Sequence, residues 1–117
     1  VNYEPRNLDY LTTRAFFAEY LNDFELAITD REKISRLNPY NAINYKFLVA
    51  SYLKTGRISE AKNVLDYVNS FAPNTEIAKE ISYFISDFEV YTNNTQSVVN
   101  YGITGLGQYL YYGSIST

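Results

Sequence analysis

The fold is decided by residues 45–73, YKFLVASYLKTGRISEAKNVLDYVNSFAP. Apolar side chains recur there at spacings of three and four residues in two runs, Leu48–Leu53 and Ile58–Phe71, as they do on one face of an α-helix. Gly56 separates the two runs, and Pro73 follows the second. The stretch therefore predicts two helices joined by a short turn.

A shift of the chain against itself by 34 residues brings similar residues together. The superimposed pairs share size, polarity or turn-forming character: Asn22/Gly56, Phe24/Ile58, Ala27/Ala61, Ile34/Val68, Leu37/Phe71, Pro39/Pro73 and Ile43/Ile77. Asn and Gly both tolerate the left-handed backbone conformation that ends many helices. The period predicts a helix-turn-helix unit that repeats along the chain.

The middle unit resembles the tetratricopeptide repeat (TPR) family. Tyr45-x2-Leu48-Val49-x2-Tyr52, Gly56, Ala61-x3-Leu65 and Pro73 follow the spacing of the family's aromatic, Leu, small, Tyr, Ala, aromatic and Pro series. This unit departs from the family pattern at two positions, since Val49 stands where the family prefers Gly and Leu65 where it prefers an aromatic residue.

The flanking units match the family less closely. The first keeps Leu11, Ala15, Ala18, Ala27 and Pro39, but Arg14 takes the usual Leu position and Arg31 the usual aromatic one. The third supplies only its first helix, in which polar residues replace buried ones at Lys79, Ser82 and Ser86. We interpret this helix as a terminal cap.

The resemblance covers about Leu8–Phe88 and implies an all-α, right-handed solenoid of about five helices in a domain of residues 1–91. An unrelated antiparallel helical bundle is the alternative. The resemblance assigns repeat packing to Leu11, Ala15, Ala27, Pro39, Tyr45, Leu48, Tyr52, Gly56, Ala61, Leu65 and Pro73. Ala27 and Ala61 stand where the two helices of a unit cross closely, so a larger side chain there would overpack the crossing.

In such a stack the first helix of each unit lines a concave groove, which would bind a partner. The implied groove residues are Phe16, Tyr20, Ile43, Lys46, Ala50, Leu53, Phe84 and Phe88, with Glu19 and Lys54 beside them. TPR proteins that bind the C-terminal carboxylate of a partner use several cationic and amide side chains, and Lys46 and Lys54 alone would bind it weakly. A segment with aliphatic or Tyr side chains is therefore the better ligand. The alternative is that some of these aromatic residues only complete the core.

Residues 92–117 form a tail of different composition, because all charged residues of the chain lie between Glu4 and Glu89. The tail is rich in Gly, Tyr, Ser and Thr, and it is expected to be extended or β-prone and to serve in assembly. Its candidate assembly residues are Val98, Val99, Tyr101, Tyr109, Leu110, Tyr111 and Tyr112. An unstructured terminus is the alternative. Asn93 begins an N-glycosylation triplet, so a glycan is a further candidate partner.

The composition disfavours several functional classes. The chain has no Cys and no His, which removes disulfides, zinc fingers and Ser–His–Asp triads; we expect no metal, no cofactor and no enzymatic activity. A net charge of −3 disfavours nucleic-acid binding. No apolar run is long enough to span a membrane.

Two units and one helix fall short of the three repeats that such arrays normally need. We therefore expect a structural or interaction protein that self-assembles, by head-to-tail stacking and tail exchange, into a filament or oligomer. The absence of Met and Cys and the start at Val1 suggest an extracytoplasmic or extracellular location. The alternatives are a monomeric adaptor that binds a peptide in its groove, and a soluble TPR segment of a bacterial surface-polysaccharide polymerase or ligase.

Overall fold

The computed structural model describes residues 7–93, and these residues form five α-helices and no strand. The helices are α1 (Leu8–Tyr20), α2 (Phe24–Leu37), α3 (Ala42–Lys54), α4 (Ile58–Phe71) and α5 (Glu76–Asn93). The prediction of an all-helical domain of about five helices is therefore confirmed for this part of the chain. The expected extended or β-prone tail of residues 92–117 lies outside the described residues, apart from residues 92 and 93, which are helical because α5 continues to Asn93.

Short polar side chains set the starts of the helices. The side chains of Asn7, Asp23 and Asn41 each accept a hydrogen bond from the backbone N–H three residues further on, which satisfies a donor at the helix end. Thr75 Oγ1 does the same for the first turn of α5. In α4 the N-cap is Arg57, whose side chain makes no capping bond.

The turn inside each helix pair depends on one residue in the left-handed region. Asn22 has φ 62° between α1 and α2, and Gly56 has φ 78° between α3 and α4. These are the two residues that the 34-residue shift superimposes. A left-handed residue reverses the chain within three residues, so α1 lies against α2 and α3 against α4.

The helix bounds repeat with the same 34-residue period. Helices α1, α3 and α5 begin at residues 8, 42 and 76, and α2 and α4 cover residues 24–37 and 58–71. Links of three or four residues place consecutive helices antiparallel, so α1, α3 and α5 run in the same direction.

The core centres on α3, which packs against α2, α4 and α5. Ala27 and Ala61 have no exposed surface, as the close crossing of paired helices requires. Leu11, Ala15, Tyr45, Leu48 and Tyr52 are also buried, whereas Leu65 and Pro39 are half-buried and Gly56 and Pro73 lie exposed in the links. The Tyr45 hydroxyl donates to the Pro39 carbonyl at 2.8 Å, which fixes the entry into α3.

The two ends of the array expose different sets of side chains. On α5 the side chains of Lys79, Ser82 and Ser86 are exposed, at the positions equivalent to buried Tyr45, Leu48 and Tyr52. On α1 the exposed side carries Phe17, Tyr20 and Leu21. On α5, however, Tyr83 and Val90 are also exposed, so both ends of the helical array carry exposed apolar side chains, and the α5 end adds Lys79 and two serines.

Candidate functional site

The candidate site is an open groove along α1, α3 and α5, with a volume of about 360 Å³. Its lining side chains come mainly from the first helix of each unit. They are Phe16, Glu19, Tyr20, Phe24, Lys46, Phe47, Ala50, Ser51, Lys54 and Phe84. The α1 residues come from the C-terminal half of that helix, whereas the α3 residues extend from Lys46 to its end at Lys54.

Aromatic rings form the walls of the groove. Phe16 and Phe47 meet edge to face with their centroids 5.3 Å apart, which joins α1 to α3. Phe24 enters from the start of α2 and Phe84 from α5. Tyr20 is 80% exposed at the rim. A neighbouring hollow of about 380 Å³, lined by Thr13, Phe16, Phe17 and Tyr20, continues this aromatic surface over α1.

A buried arginine supports the groove from below. The Arg31 guanidinium lies 4.8 Å from the centroid of Phe16 and 4.6 Å from that of Phe47. It donates to both carboxylate oxygens of Glu19, at 2.8 and 3.0 Å, and to Asn44 Oδ1 at 3.3 Å. Only 3% of the Arg31 side chain is exposed. This cluster ties α1, α2 and α3 together beneath the aromatic walls.

A second ion pair joins α1 to α2. Arg14 donates from Nε and Nη2 to the two carboxylate oxygens of Asp30, both at 2.8 Å, and Asp30 is fully buried. The hydrogen bond to Asp30 raises the pKa of Arg14 further above its usual range. Arg14 occupies the position that Leu48 fills in the next unit. The first unit is therefore held by ionic contacts where the second uses apolar ones.

The lysines of the groove are already engaged with neighbouring groups. Lys46 Nζ lies 3.2 Å from Glu80 Oε1, and Lys54 Nζ lies 5.7 Å from the centroid of the Phe24 ring. Burial lowers the pKa of Lys54. Because their charges are paired or partly withdrawn from water, the groove presents mainly ring surface to a ligand.

The residues expected in the groove divide into three groups. Phe16, Tyr20, Lys46, Ala50 and Phe84 line it, as do Glu19 and Lys54. Leu53 and Phe88 are instead buried in the core, because α3 packs against three other helices and α5 covers one of its sides. Ile43 is exposed and does not line the groove.

Sequence reasoning missed three lining residues, Phe24, Phe47 and Ser51. The 34-residue shift matched Phe24 to Ile58 but gave it no place in the groove. The usable signal for the site floor was Arg31, a charged residue at a position where the repeat pattern calls for a large apolar one. Asn93 is the exposed last residue of α5; the rest of its glycosylation triplet and the tail residues 98–112 lie outside the described part.

Within residues 7–93 every buried side-chain nitrogen and oxygen has a hydrogen-bond partner. No group of three potential metal ligands gathers in that part of the chain. None of the described helices has the length and apolarity needed to cross a bilayer.

Comparisons with protein-family models, curated proteins and solved structures gave no match to this chain.

Proposed function

We propose that the chain is a non-enzymatic, TPR-like interaction protein that associates with other copies of itself through its groove. The observation that carries the proposal is the aromatic groove along α1, α3 and α5, whose open rim includes a largely exposed Tyr20. Large apolar surfaces left open on one side of a small domain are typical of protein-binding sites.

The chemistry of the groove favours an uncharged, extended polypeptide segment. Five aromatic side chains line it, and its Arg and Lys side chains contact groups of the same molecule: Arg31 pairs with Glu19, and Lys46 with Glu80. A strongly acidic ligand would have to compete with Glu19 and Glu80 for these cations. An apolar or tyrosine-rich segment needs no such exchange.

The charge of Lys79 on α5 favours exchange of a segment over stacking of helices. Stacking copies head to tail would place Phe17 and Tyr20 of α1 against the side of α5 that carries Lys79 together with the exposed Tyr83 and Val90. Such a contact leaves Lys79 buried against apolar surface without a partner, which is unfavourable. Contact through the groove avoids this cost.

Two matched substitutions test the proposal on the full chain. Tyr20→Lys changes the groove rim, and Tyr83→Lys makes the same change on the exposed side of α5, where Tyr83 is 67% exposed. Neither position is buried, so both variants should keep their helical circular dichroism spectrum. Size-exclusion chromatography with light scattering should show assemblies of the unchanged chain and of Tyr83→Lys, and smaller species for Tyr20→Lys.

A monomer for the unchanged chain at all concentrations would remove self-association and leave a groove that binds a foreign peptide. Loss of assembly in Tyr83→Lys alone would identify stacking through α5 as the contact instead.

A further inference from the structure

We infer that the ligand of the groove is the chain's own segment Gln108–Tyr112. The inference uses the groove of the proposed function, but it holds whether the segment binds within one molecule or between copies. Three observations support it: the nature of the groove, the composition of the tail, and the place where the tail leaves the fold.

The groove suits a few large, flat, uncharged side chains. Its volume of about 360 Å³ lies near the lower end of the range for ligand pockets, about 300–1,000 Å³, which is too small for a second folded element. Its walls are the rings of Phe16, Phe24, Phe47 and Phe84. Aromatic rings pack well against other aromatic rings in edge-to-face geometry, as Phe16 and Phe47 already do.

The segment offers the matching side chains. Gln108-Tyr109-Leu110-Tyr111-Tyr112 carries no charge, and no charged residue follows Glu89 anywhere in the chain. In an extended segment, side chains alternate between two faces, so Tyr109 and Tyr111 share one face. One face can enter the groove while each hydroxyl stays at the wet rim.

The tail starts close to the groove. Helix α5 contributes Phe84 to the wall and ends at Asn93, about 14 Å further along at 1.5 Å per residue. Residues 94–107, fourteen in all, precede the segment, and a fully extended chain of that length spans up to about 50 Å. This exceeds the length of any of the five helices, so the segment can reach its own groove or that of a neighbouring copy.

Cysteine pairing tests the inference directly, because the chain contains no Cys. The test variant combines Ala50→Cys, inside the groove, with Leu110→Cys in the segment. The control combines Asn63→Cys, an exposed position on α4 away from the groove, with the same Leu110→Cys. Docking raises the local concentration of the two thiols, so the test variant should form its disulfide at least about ten times faster under mild oxidation.

The gel pattern separates this inference from the proposed function. Disulfide-linked dimers on a non-reducing gel support docking between copies and therefore both proposals. A disulfide within one chain, in a protein that scatters light as a monomer, supports docking and contradicts self-association. Equal oxidation rates in the test and control variants overturn the docking inference even if the protein assembles.

Two further variants control for misfolding and for the role of the tyrosines. If Ala50→Cys disturbs folding, Tyr20→Cys at the exposed rim replaces it, with the same expected advantage over Asn63→Cys. Replacing Tyr109 and Tyr111 by Ser in the test variant should bring its oxidation rate down to that of the control. An unchanged rate would show that the tyrosines do not bind the groove.

Discussion

Removing one partner of the buried ion pair between Glu19 and Arg31 should strongly destabilise the first unit, because it leaves a buried charge unpaired. Glu19→Gln keeps the size of the side chain but removes the charge, and leaves Arg31 with Asn44 and two rings as its neighbours. Breaking a buried ion pair costs about 3–5 kcal/mol. Because 17% of the Glu19 side chain is exposed, water reaches it, and we expect a loss near the lower end, about 3 kcal/mol.

A compensating change should restore most of this loss. In Glu19→Gln/Arg31→Met the unpaired charge is gone, and the flexible thioether fills the space between the rings of Phe16 and Phe47. We expect the double variant to lie within about 1 kcal/mol of the unchanged protein, because apolar replacements of buried ion pairs are often neutral. Urea unfolding followed by circular dichroism at the helical band measures the free energy of unfolding of each variant.

An exposed pair of the same protein provides the control. Lys62 Nζ lies 2.6 Å from Glu89 Oε2, and the two side chains are 52% and 40% exposed. Glu89→Gln should therefore cost less than about 1 kcal/mol. The reasoning is refuted if Glu19→Gln costs no more than Glu89→Gln, or if the double variant is as unstable as the sum of Glu19→Gln and Arg31→Met.

Three further changes test the turn, the helix crossing and the buried hydroxyl. Gly56→Ala should lower the free energy of unfolding by about 1–2 kcal/mol, because φ is 78° at this position, although the added Cβ would meet no neighbour. Gly56→Asn should cost less, because Asn22 adopts the same backbone conformation, and urea unfolding of both variants shows whether backbone strain is the cause. Ala61→Leu should lower the free energy of unfolding by about 1–3 kcal/mol in the same assay, because Ala61 has no exposed surface and a larger side chain would overpack the crossing of α3 and α4. An unchanged urea midpoint would contradict the close crossing of these helices. Burial and the hydrogen bond to Glu32 raise the pKa of Tyr52, so the contribution of its hydroxyl to stability is complete below about pH 10 and declines as the pH rises further. Tyr52→Phe should therefore lower the free energy of unfolding by about 1.5 kcal/mol at pH 8 and by less at pH 11. An equal loss at both pH values would contradict the raised pKa.

The helices could be predicted from sequence because local signals mark them at both ends. Asn41 and Thr75 cap helix starts, and Asn22 and Gly56 supply the left-handed residues of the turns. These signals act within a few residues of the chain, so they do not depend on how the helices pack. The 34-residue spacing then placed equivalent residues correctly.

The groove was harder to predict because its floor depends on contacts between helices. Leu53 and Phe47 both lie on the broad apolar surface of α3, and periodicity alone does not say which of them faces a neighbouring helix. The position of α5 decides the matter, since its packing on α3 belongs to a core that buries Leu53. The sequence showed that Arg31 departs from the repeat pattern. Its role in supporting the groove depends on its hydrogen bonds to Glu19 and Asn44, which only the packed helices bring within reach.

The exposed side of α5 bears on whether a further helix could pack against the five described ones. A further helix could pack there only if Lys79, Ser82 and Ser86 became apolar, as Tyr45, Leu48 and Tyr52 are one unit earlier. Apolar substitutions at these three positions would thus give α5 a surface on which an added copy of residues 58–71 could pack. The number of packed helices could thus be engineered by changing a few side chains on α5.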